Sequence, residues 1–192
     1  DRKMALMGSD YVFTSMRSGG LEATKLDLEI PAKYGIEQGV GDTLAPGGIF
    51  YGLKNGFALL DIAKDMEEIC PDALLINYTN PMAILSWVVK DLTRVKYVGL
   101  CHSVPSTAGD LASYLGVEKQ ELSYLAGGIN HMAWFLRLEL NGSDAYPILR
   151  EKLDNRVYTD PTHPAYRDIV RVETFRWTGY YSAEDSNHLS EY

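Results

Sequence analysis

The chain has 192 residues, of which 46% are hydrophobic, which is enough to bury a sizeable core in one domain or in one domain and the start of another. Its formal charge of -8, from 26 acidic and 18 basic side chains, provides no positive surface for phosphate backbones, so no nucleic-acid partner is expected. A small neutral or polar substrate fits this charge better.

Cysteine content and apolar runs indicate the compartment. Cys70 and Cys101 are the two cysteines, and their wide separation favours a reducing environment over a disulfide framework. No apolar run approaches the roughly 20 residues that cross a bilayer, and the N-terminal residues lack the basic-then-apolar pattern of a signal peptide. We therefore expect a cytoplasmic protein without a membrane partner.

The first half of the chain alternates β-favouring and helical segments. A helix predicted over Phe57–Cys70 separates the first two strands, and a strand-helix-strand order implies a right-handed crossover and a parallel sheet. The fold class expected is α/β with a doubly wound sheet. The predicted strands are Asp10–Ser15, Ala73–Tyr78 and Lys96–Leu100, and the helices after the second and third strands are Met82–Val89 and Thr107–Leu115.

The pattern changes from Leu122 onward. Tyr124–Ala126, the glycine pair Gly127-Gly128 and the alternating segment Met132–Leu140 predict antiparallel strands. We place the domain boundary near Val117, so that residues 117–192 begin a second, α+β region that binds substrate.

A metal site is one interpretation of two short motifs. Cys101-His102-Ser103 follows the third predicted strand, at the sheet edge where open α/β sheets bind ligands. Gly128-Ile129-Asn130-His131 forms a later loop, and a thiolate with an imidazole suits a divalent transition ion. Structural roles stay open, because a single cysteine is more often a buried apolar side chain and a single histidine is more often structural.

Other polar groups have two interpretations each. Asn80, before Pro81, offers amide donors and an acceptor to a sugar or a cofactor, or it forms a turn. Arg17 either holds a ligand oxygen or is a solvated cation. Ser18-Gly19-Gly20 and Pro46-Gly47-Gly48 match no nucleotide-binding fingerprint, so we expect flexible turns there.

The end of the chain crowds titratable side chains into one segment, Glu184–Tyr192. This segment is either catalytic or the solvated start of a helix, and the residues alone favour the solvated interpretation.

Six motifs in order give a further hypothesis, because together they resemble glycoside hydrolase family 4, the NAD- and manganese-dependent glycosidases. The ordered series covers nearly the whole chain. Cys101-His102-Ser103-Val104 is similar to the α-galactosidase version of the family, whereas the phosphoglucosidase version has Cys-Asp. The six motifs are Met16-Arg17-Ser18-Gly19-Gly20, Gly35-Ile36-Glu37-Gln38, Asp42-Thr43-Leu44-Ala45-Pro46-Gly47-Gly48, Ile76-Asn77-Tyr78-Thr79-Asn80-Pro81-Met82, Gly99-Leu100-Cys101-His102-Ser103-Val104 and Gly128-Ile129-Asn130-His131-Met132-Ala133.

The resemblance implies a Rossmann-like fold, similar to lactate and malate dehydrogenases, with residues 1–116 as the C-terminal portion of the NAD-binding domain. It implies that Cys101 and His131 bind a divalent ion, typically Mn2+. It also implies roles for the remaining site residues. These are Arg17, Asn80 and Asn130 for the sugar, Thr14, Ser15 and Asn80 for the cofactor, and His102, Tyr192 and Asp185 for catalysis, with His188 as a further candidate.

The reaction implied by the resemblance is redox-assisted elimination on an α-galactoside. NAD takes a hydride from C3, the metal polarises the resulting ketone, a base such as Tyr192 removes the C2 proton, and an acid such as His102 assists departure of the C1 substituent. Water then adds and the hydride returns. Family members commonly self-associate, so a homo-oligomer is expected.

A departure from the family pattern concerns the cofactor. Family members begin with a strand and a glycine-rich loop that hold the NAD pyrophosphate, and no such loop precedes Asp10. We therefore expect this sequence alone to bind NAD poorly.

Other functions remain possible from the sequence. The same family includes glucosidases, glucuronidases and galacturonidases acting on α-glycosides. A 2-hydroxyacid dehydrogenase shares the doubly wound fold and an Asn-Pro after a comparable strand, but needs no thiolate metal ligand. An inactive fragment that serves assembly is the third alternative.

Overall fold

The computed structural model describes residues 1–192 and divides into two compact units, Asp1–Cys101 and His102–Tyr192. Each unit has its own buried core. The boundary expected near Val117 from the change of sequence pattern stays a prediction.

The first unit is built on a three-stranded parallel sheet, which confirms the three predicted strands and their direction. The strands lie in the order β1 (Tyr11–Thr14), β2 (Leu74–Asn77) and β3 (Lys96–Gly99). Thr14, Asn77 and Gly99 are in register, so the three strands end at one edge of the sheet. The helices of this unit are α1 (Arg2–Leu6), α2 (Gly20–Ala32), α3 (Ala45–Ile69) and α4 (Met82–Leu92).

Helix α3 begins earlier than the prediction, which started at Phe57. The prediction of a flexible turn at Pro46-Gly47-Gly48 is wrong, because these residues form the first turn of α3. Proline suits this position, where a backbone N–H has no partner within the helix. The glycines permit close approach to neighbouring backbone: a Cβ on Gly48 would lie 2.5 Å from the carbonyl carbon of Thr43.

Apolar residues from α3, β2 and α4 form the core of the first unit. Leu59, Met66, Leu75, Leu85 and Val89 are fully buried in it. Burial of each of these five side chains stabilises the folded state by about 1.5–3 kcal/mol, before the entropy cost of ordering the chain is subtracted. This core fixes the sheet edge from which the polar residues of the unit project.

The second unit is an antiparallel sheet flanked by helices, as the alternating pattern predicted. Strands β4 (Leu122–Ile129) and β5 (Met132–Leu140) form a long hairpin. The remaining elements are α5 (Ser103–Leu115), β6 (Ser143–Asp144), α6 (Tyr146–Lys152), α7 (Ile169–Thr178), β7 (Tyr181–Ser182) and α8 (Ser186–Leu189), with short 3-10 turns at Lys119–Glu121 and Asn155–Tyr158. Both β6 and β7 pair with β5.

The core of the second unit is larger and rich in aromatic side chains. Phe135, Phe175 and Tyr181 are almost completely buried, and the Phe175 and Tyr181 rings meet edge to face at 5.7 Å. Helix α5 contributes Ala108 and Leu111 to this core. None of the helices combines the length and apolarity that a membrane crossing requires.

Candidate active site

Polar side chains at the carboxyl edge of the first unit's sheet bind one another. The Thr14 hydroxyl donates to Asn77 Oδ1 at 2.8 Å, and Asn77 Nδ2 donates to the Thr79 carbonyl and to Tyr97 Oη, each at 2.9 Å. Thr14 and Asn77 are buried, and burial raises the pKa of Tyr97, so its phenol stays protonated. This network fixes the ends of β1 and β2. The cofactor contact expected for Thr14 stays a prediction.

Arg17 and Ser15, which follow β1, are exposed. The Arg17 guanidinium donates to Thr24 Oγ1 at 2.7 Å and lies 5.1 Å from the centre of the Tyr51 ring. These two contacts hold the side chain over the beginning of α2 and α3, where it can present its remaining donors to a ligand.

Asn80, beyond β2, is held by groups that local sequence patterns do not reveal. Its Nδ2 donates to Asp42 Oδ2 at 2.8 Å, and its carbonyl accepts from Asn55 Nδ2 at 2.9 Å. Asn55 also accepts from the Ser18 backbone N–H at 3.0 Å, and the Asn80-Pro81 peptide is cis. Asn55 thus ties the loop after β1 to the loop after β2. Its position inside α3 gave no local signal of this role.

Cys101 follows β3 at the same sheet edge and is partly buried, whereas Cys70 is buried in the core. Burial raises the pKa of the Cys70 thiol, which suits a structural cysteine. His102, the expected acid, is exposed, and its backbone carbonyl accepts from the Ser106 N–H at the start of α5.

The β4–β5 hairpin carries Asn130 and His131 in a two-residue turn between the paired residues Ile129 and Met132. His131 has a φ of 61°, a left-handed conformation that is uncommon for residues other than glycine. Gly128 has a φ of 141°, and a Cβ there would lie 2.3 Å from the Met132 carbonyl oxygen. The hairpin therefore tolerates only glycine at this position and directs the His131 side chain into a buried location.

Acidic and imidazole groups of the second unit surround that location. His131 Nε2 lies 3.3 Å from Glu184 Oε2, and both side chains are at most 4% exposed. The His131 and His188 rings lie 4.2 Å apart, and His188 Nδ1 is 2.9 Å from Asp185 Oδ2. The solvated interpretation of the terminal segment is wrong for Glu184, which is buried, although Asp185 and Tyr192 are exposed as expected.

Asn130 has a polar side chain that the fold itself does not use. Its Oδ1 and Nδ2 are buried from solvent and make no hydrogen bond. A buried amide without a hydrogen-bond partner lowers the stability of the fold by about 1–3 kcal/mol. A polar ligand that bonds to the amide would remove this cost. Tyr192 Oη lies 3.5 Å from the Asn130 carbonyl oxygen, so the expected base and this expected sugar contact are neighbours.

A buried ionic cluster in the second unit anchors the segment that carries Glu184. Asp168 Oδ1 accepts from Arg171 Nε at 2.6 Å and from the Ser186 hydroxyl at 2.9 Å. The Thr107 hydroxyl accepts from Arg171 Nη1 and donates to the Ala183 carbonyl, each at 2.7 Å. The residues on both sides of Glu184 are therefore fixed to α5 and α7.

The donor types fit a divalent transition ion. The imidazole of His131 and the carboxylate of Glu184 are buried side by side in the second unit. Cys101, at the end of the first unit, carries a partly buried thiol. Imidazole, carboxylate and thiolate all bind such ions. The unused amide of Asn130 adds a group suited to a sugar hydroxyl.

Comparison with known proteins decides the family. The description Family 4 glycosyl hydrolase matches residues 1–117, and Family 4 glycosyl hydrolase C-terminal domain matches residues 126–192. The chain belongs to the family 4 glycosyl hydrolases. An alpha-galactosidase of Bacillus subtilis (strain 168) is 43% identical over 193 residues, covering 100% of this chain and 44% of that protein. An alpha-galactosidase of Rhizobium meliloti (strain 1021) is 41% identical over 195 residues, covering 100% of this chain and 39% of that protein.

A solved structure shares the fold of this family 4 chain. A 6-phospho-alpha-glucosidase from gut microorganisms, in complex with NAD and Mn2+, superimposes with a TM-score of 0.81 at 20% identity over 100% of this chain and 46% of that chain. This likeness confirms the predicted Rossmann-like fold class. The family 4 chain spans less than half the length of these relatives.

Proposed function

We propose that this family 4 chain is part of an NAD- and Mn2+-dependent glycosidase that hydrolyses α-galactosides. The observation that carries the proposal is the buried pair of His131, which lies on a strained turn, and Glu184, together with an Asn130 amide that makes no hydrogen bond. Strain and unsatisfied polar groups that persist in a fold are typical of binding sites.

The substrate assignment is supported by sequence. Two curated relatives that match the whole chain at 43% and 41% identity are named alpha-galactosidases. The residues after Cys101, His102-Ser103-Val104, also resemble the α-galactosidase version of the motif. Family membership favours a glycosidase over the 2-hydroxyacid dehydrogenase that shares the fold class.

In the proposed site, Cys101 and His131 bind the divalent ion, and Thr14, Ser15 and Asn80 contact the cofactor. When bound, NAD supplies a hydride acceptor and the ion polarises oxygens of the sugar. The contact between Asn80 and Asp42 orients the amide of Asn80, which also contacts the sugar. We further propose that the protein is cytoplasmic and self-associates.

The remaining residues position the sugar and move protons. Asn130 and Arg17 donate hydrogen bonds to sugar hydroxyls, which satisfies the buried amide of Asn130. Tyr192 acts as the base at the C2 proton, and its exposed side chain next to Asn130 leaves it accessible to a bound sugar. His102 protonates the departing C1 oxygen, and Asp185 is the alternative acid or base.

The test is hydrolysis of nitrophenyl α-galactoside by the full-length protein, with and without Mn2+, NAD and a reductant. Nitrophenyl α-glucoside and α-galacturonide run in parallel decide between the sugars. We expect activity on the galactoside that requires both cofactors. Hydrolysis independent of NAD and Mn2+, or no hydrolysis of any of the three, would contradict the proposed mechanism.

A pair of cysteine variants tests the metal assignment within the same assay. Cys101→Ala is expected to abolish hydrolysis, because it removes a ligand. Cys70→Ala removes the same group from the core, where burial keeps the thiol protonated, and should leave hydrolysis largely intact. Equal loss in both variants would argue against a ligand role for Cys101.

A further inference from the structure

The pair of His131 and Glu184 is unusual because both titratable side chains are almost completely withdrawn from water. The exposed fractions are 2% for the imidazole and 4% for the carboxylate. A buried carboxylate is costly unless a charge partner or a metal ion compensates it. A divalent cation bound beside Glu184 and His131 would offset this cost.

The separation of the two atoms points to a shared ion. Two ligands bound at about 2.1 Å to one ion, at the tetrahedral or octahedral angle, lie about 3.0–3.4 Å apart. His131 Nε2 and Glu184 Oε2 lie 3.3 Å apart. A charge-assisted hydrogen bond between the same atoms would be shorter, about 2.7–2.9 Å.

We propose that Glu184 is a direct ligand of the divalent ion, next to His131. This inference rests on the proposed function, in which Cys101 and His131 bind the ion, and adds a carboxylate to that site. The alternative is that Glu184 accepts a hydrogen bond from His131 and only orients its ring, as outer carboxylates of metal sites do.

The backbone around Glu184 is built to hold a ligand. The Ala183 N–H donates to the Ala133 carbonyl at 2.8 Å, and the Ala183 carbonyl accepts from Thr107. The Glu184 N–H donates to Ser182 Oγ at 3.1 Å, and Asp185 caps the N-terminus of α8. Bonds on both sides of Glu184 restrict its motion, and a metal ligand held in place by supporting bonds binds more strongly than a mobile one.

A carboxylate ligand has a consequence for the choice of ion. Oxygen ligands favour Mn2+, whereas nitrogen and sulfur ligands favour ions later in the first-row series, such as Co2+. Replacing the charged Glu184 carboxylate by a neutral, weaker oxygen donor should therefore weaken Mn2+ binding more than Co2+ binding. Loss of a purely orienting partner would weaken both ions about equally, because it acts through His131.

The experiment compares ion affinities of the full-length protein and its Glu184→Gln variant. Free Mn2+ is followed by its electron paramagnetic resonance signal, and Co2+ affinity by competition against Mn2+. Glutamine keeps the size and an acceptor oxygen but removes the charge. In the Glu184→Gln variant we expect the Kd for Mn2+ to rise at least 10-fold. The Kd for Mn2+ divided by the Kd for Co2+ should rise at least about 3-fold.

Glu139→Gln is the matched control, because it removes one carboxylate from the same unit at a partly buried position of β5. At about 3.3 Å per residue it lies more than 20 Å from His131. It should leave both constants unchanged. Circular dichroism of Glu184→Gln, with Glu184→Asp as a second variant that keeps the charge, verifies that the fold is retained.

Each outcome separates the two proposals. An unaltered protein that binds neither ion would overturn the proposed function and this inference with it. An unaltered protein that binds Mn2+, with a Glu184→Gln variant whose affinity or ion ratio is unchanged, would overturn the ligand role of Glu184 alone. A variant that loses both ions equally would assign Glu184 the orienting role instead.

Discussion

Two asparagines show how the two units use the same amide group differently. Asn77 in the first unit is buried and makes hydrogen bonds to Thr14, Thr79 and Tyr97. Asn130 in the second unit has buried amide atoms with no hydrogen bond. A satisfied amide stabilises the fold, whereas an unsatisfied one costs stability and is retained for another purpose. The Asn77 amide thus belongs to the scaffold of the first unit, whereas the Asn130 amide contributes no hydrogen bond to the fold of the second.

The largest expected effect on stability comes from the buried cation of the second unit. Arg171→Ala leaves Asp168 buried without its charge partner, which should lower the free energy of unfolding by about 3–5 kcal/mol. Burial raises the pKa of Tyr114 and Tyr181, so both phenols stay protonated and continue to donate to Asp168 in the variant. Urea denaturation followed by tryptophan fluorescence measures the change.

The control for this variant is Arg137→Ala, which removes a guanidinium that is 61% exposed and 3.8 Å from Glu139. A surface ion pair of this kind contributes about 0–1 kcal/mol. Similar losses in the two variants would mean that the buried cluster does not anchor the segment before Glu184.

The second largest effect on stability is expected at Asn77, whose side chain holds together the network at the sheet edge of the first unit. Asn77→Ala removes the acceptor for Thr14 and the donor to Thr79, both of which are buried. We expect a loss of about 1–3 kcal/mol in the free energy of unfolding. Thermal and urea denaturation check this value, and an unchanged midpoint would contradict the assignment of this network to the scaffold.

The turn residue His131 should combine a small stability effect with complete loss of ion binding. Asparagine tolerates the left-handed conformation of this position. The free energy of unfolding of His131→Asn should therefore change by about 1 kcal/mol or less. His131→Ala should be less stable than His131→Asn by about 1–2 kcal/mol, because alanine tolerates positive φ poorly. Both variants should lose Mn2+ binding in a titration, and retained binding in either would exclude His131 as a ligand.

Asn130→Ala is expected to have the smallest effect on stability, because it removes a group without hydrogen bonds. The free energy of unfolding should change by about 0.5 kcal/mol or less, while KM for the galactoside should rise about 10-fold. A loss of stability comparable to that of Asn77→Ala would remove the contrast between the two amides.

Local periodicity predicted β1 to β5 and the helices α3, α4 and α5, because each is built from apolar residues at regular spacing. It gave no prediction for the helices α1, α6 and α7 or for the short strands β6 and β7. It missed α2, whose segment contains Pro31 and places most of its side chains in partly or fully exposed positions. Cys101, Asn80 and His131 became candidates because polar residues at strand ends and tight turns are visible in sequence.

The burial of Glu184 beside His131 could not be predicted from the residues around Glu184. Its partner His131 lies far earlier in the chain, and its neighbours Asp185 and Ser186 are typical of a solvated helix start. Pairing of β7 with β5 and the hydrogen bond from the Ala183 N–H to the Ala133 carbonyl place the segment beside the turn. Contacts of this kind depend on tertiary topology, which residue spacing alone does not encode.

The two-residue turn of Asn130 and His131 also limits how this part of the molecule can vary between related enzymes. An insertion or deletion of one residue there would either shift the β4–β5 register, turning every following side chain of β5 to the opposite face, or require a compensating bulge. Chimeras that exchange substrate-binding segments should therefore preserve the length of this turn and alter only side chains.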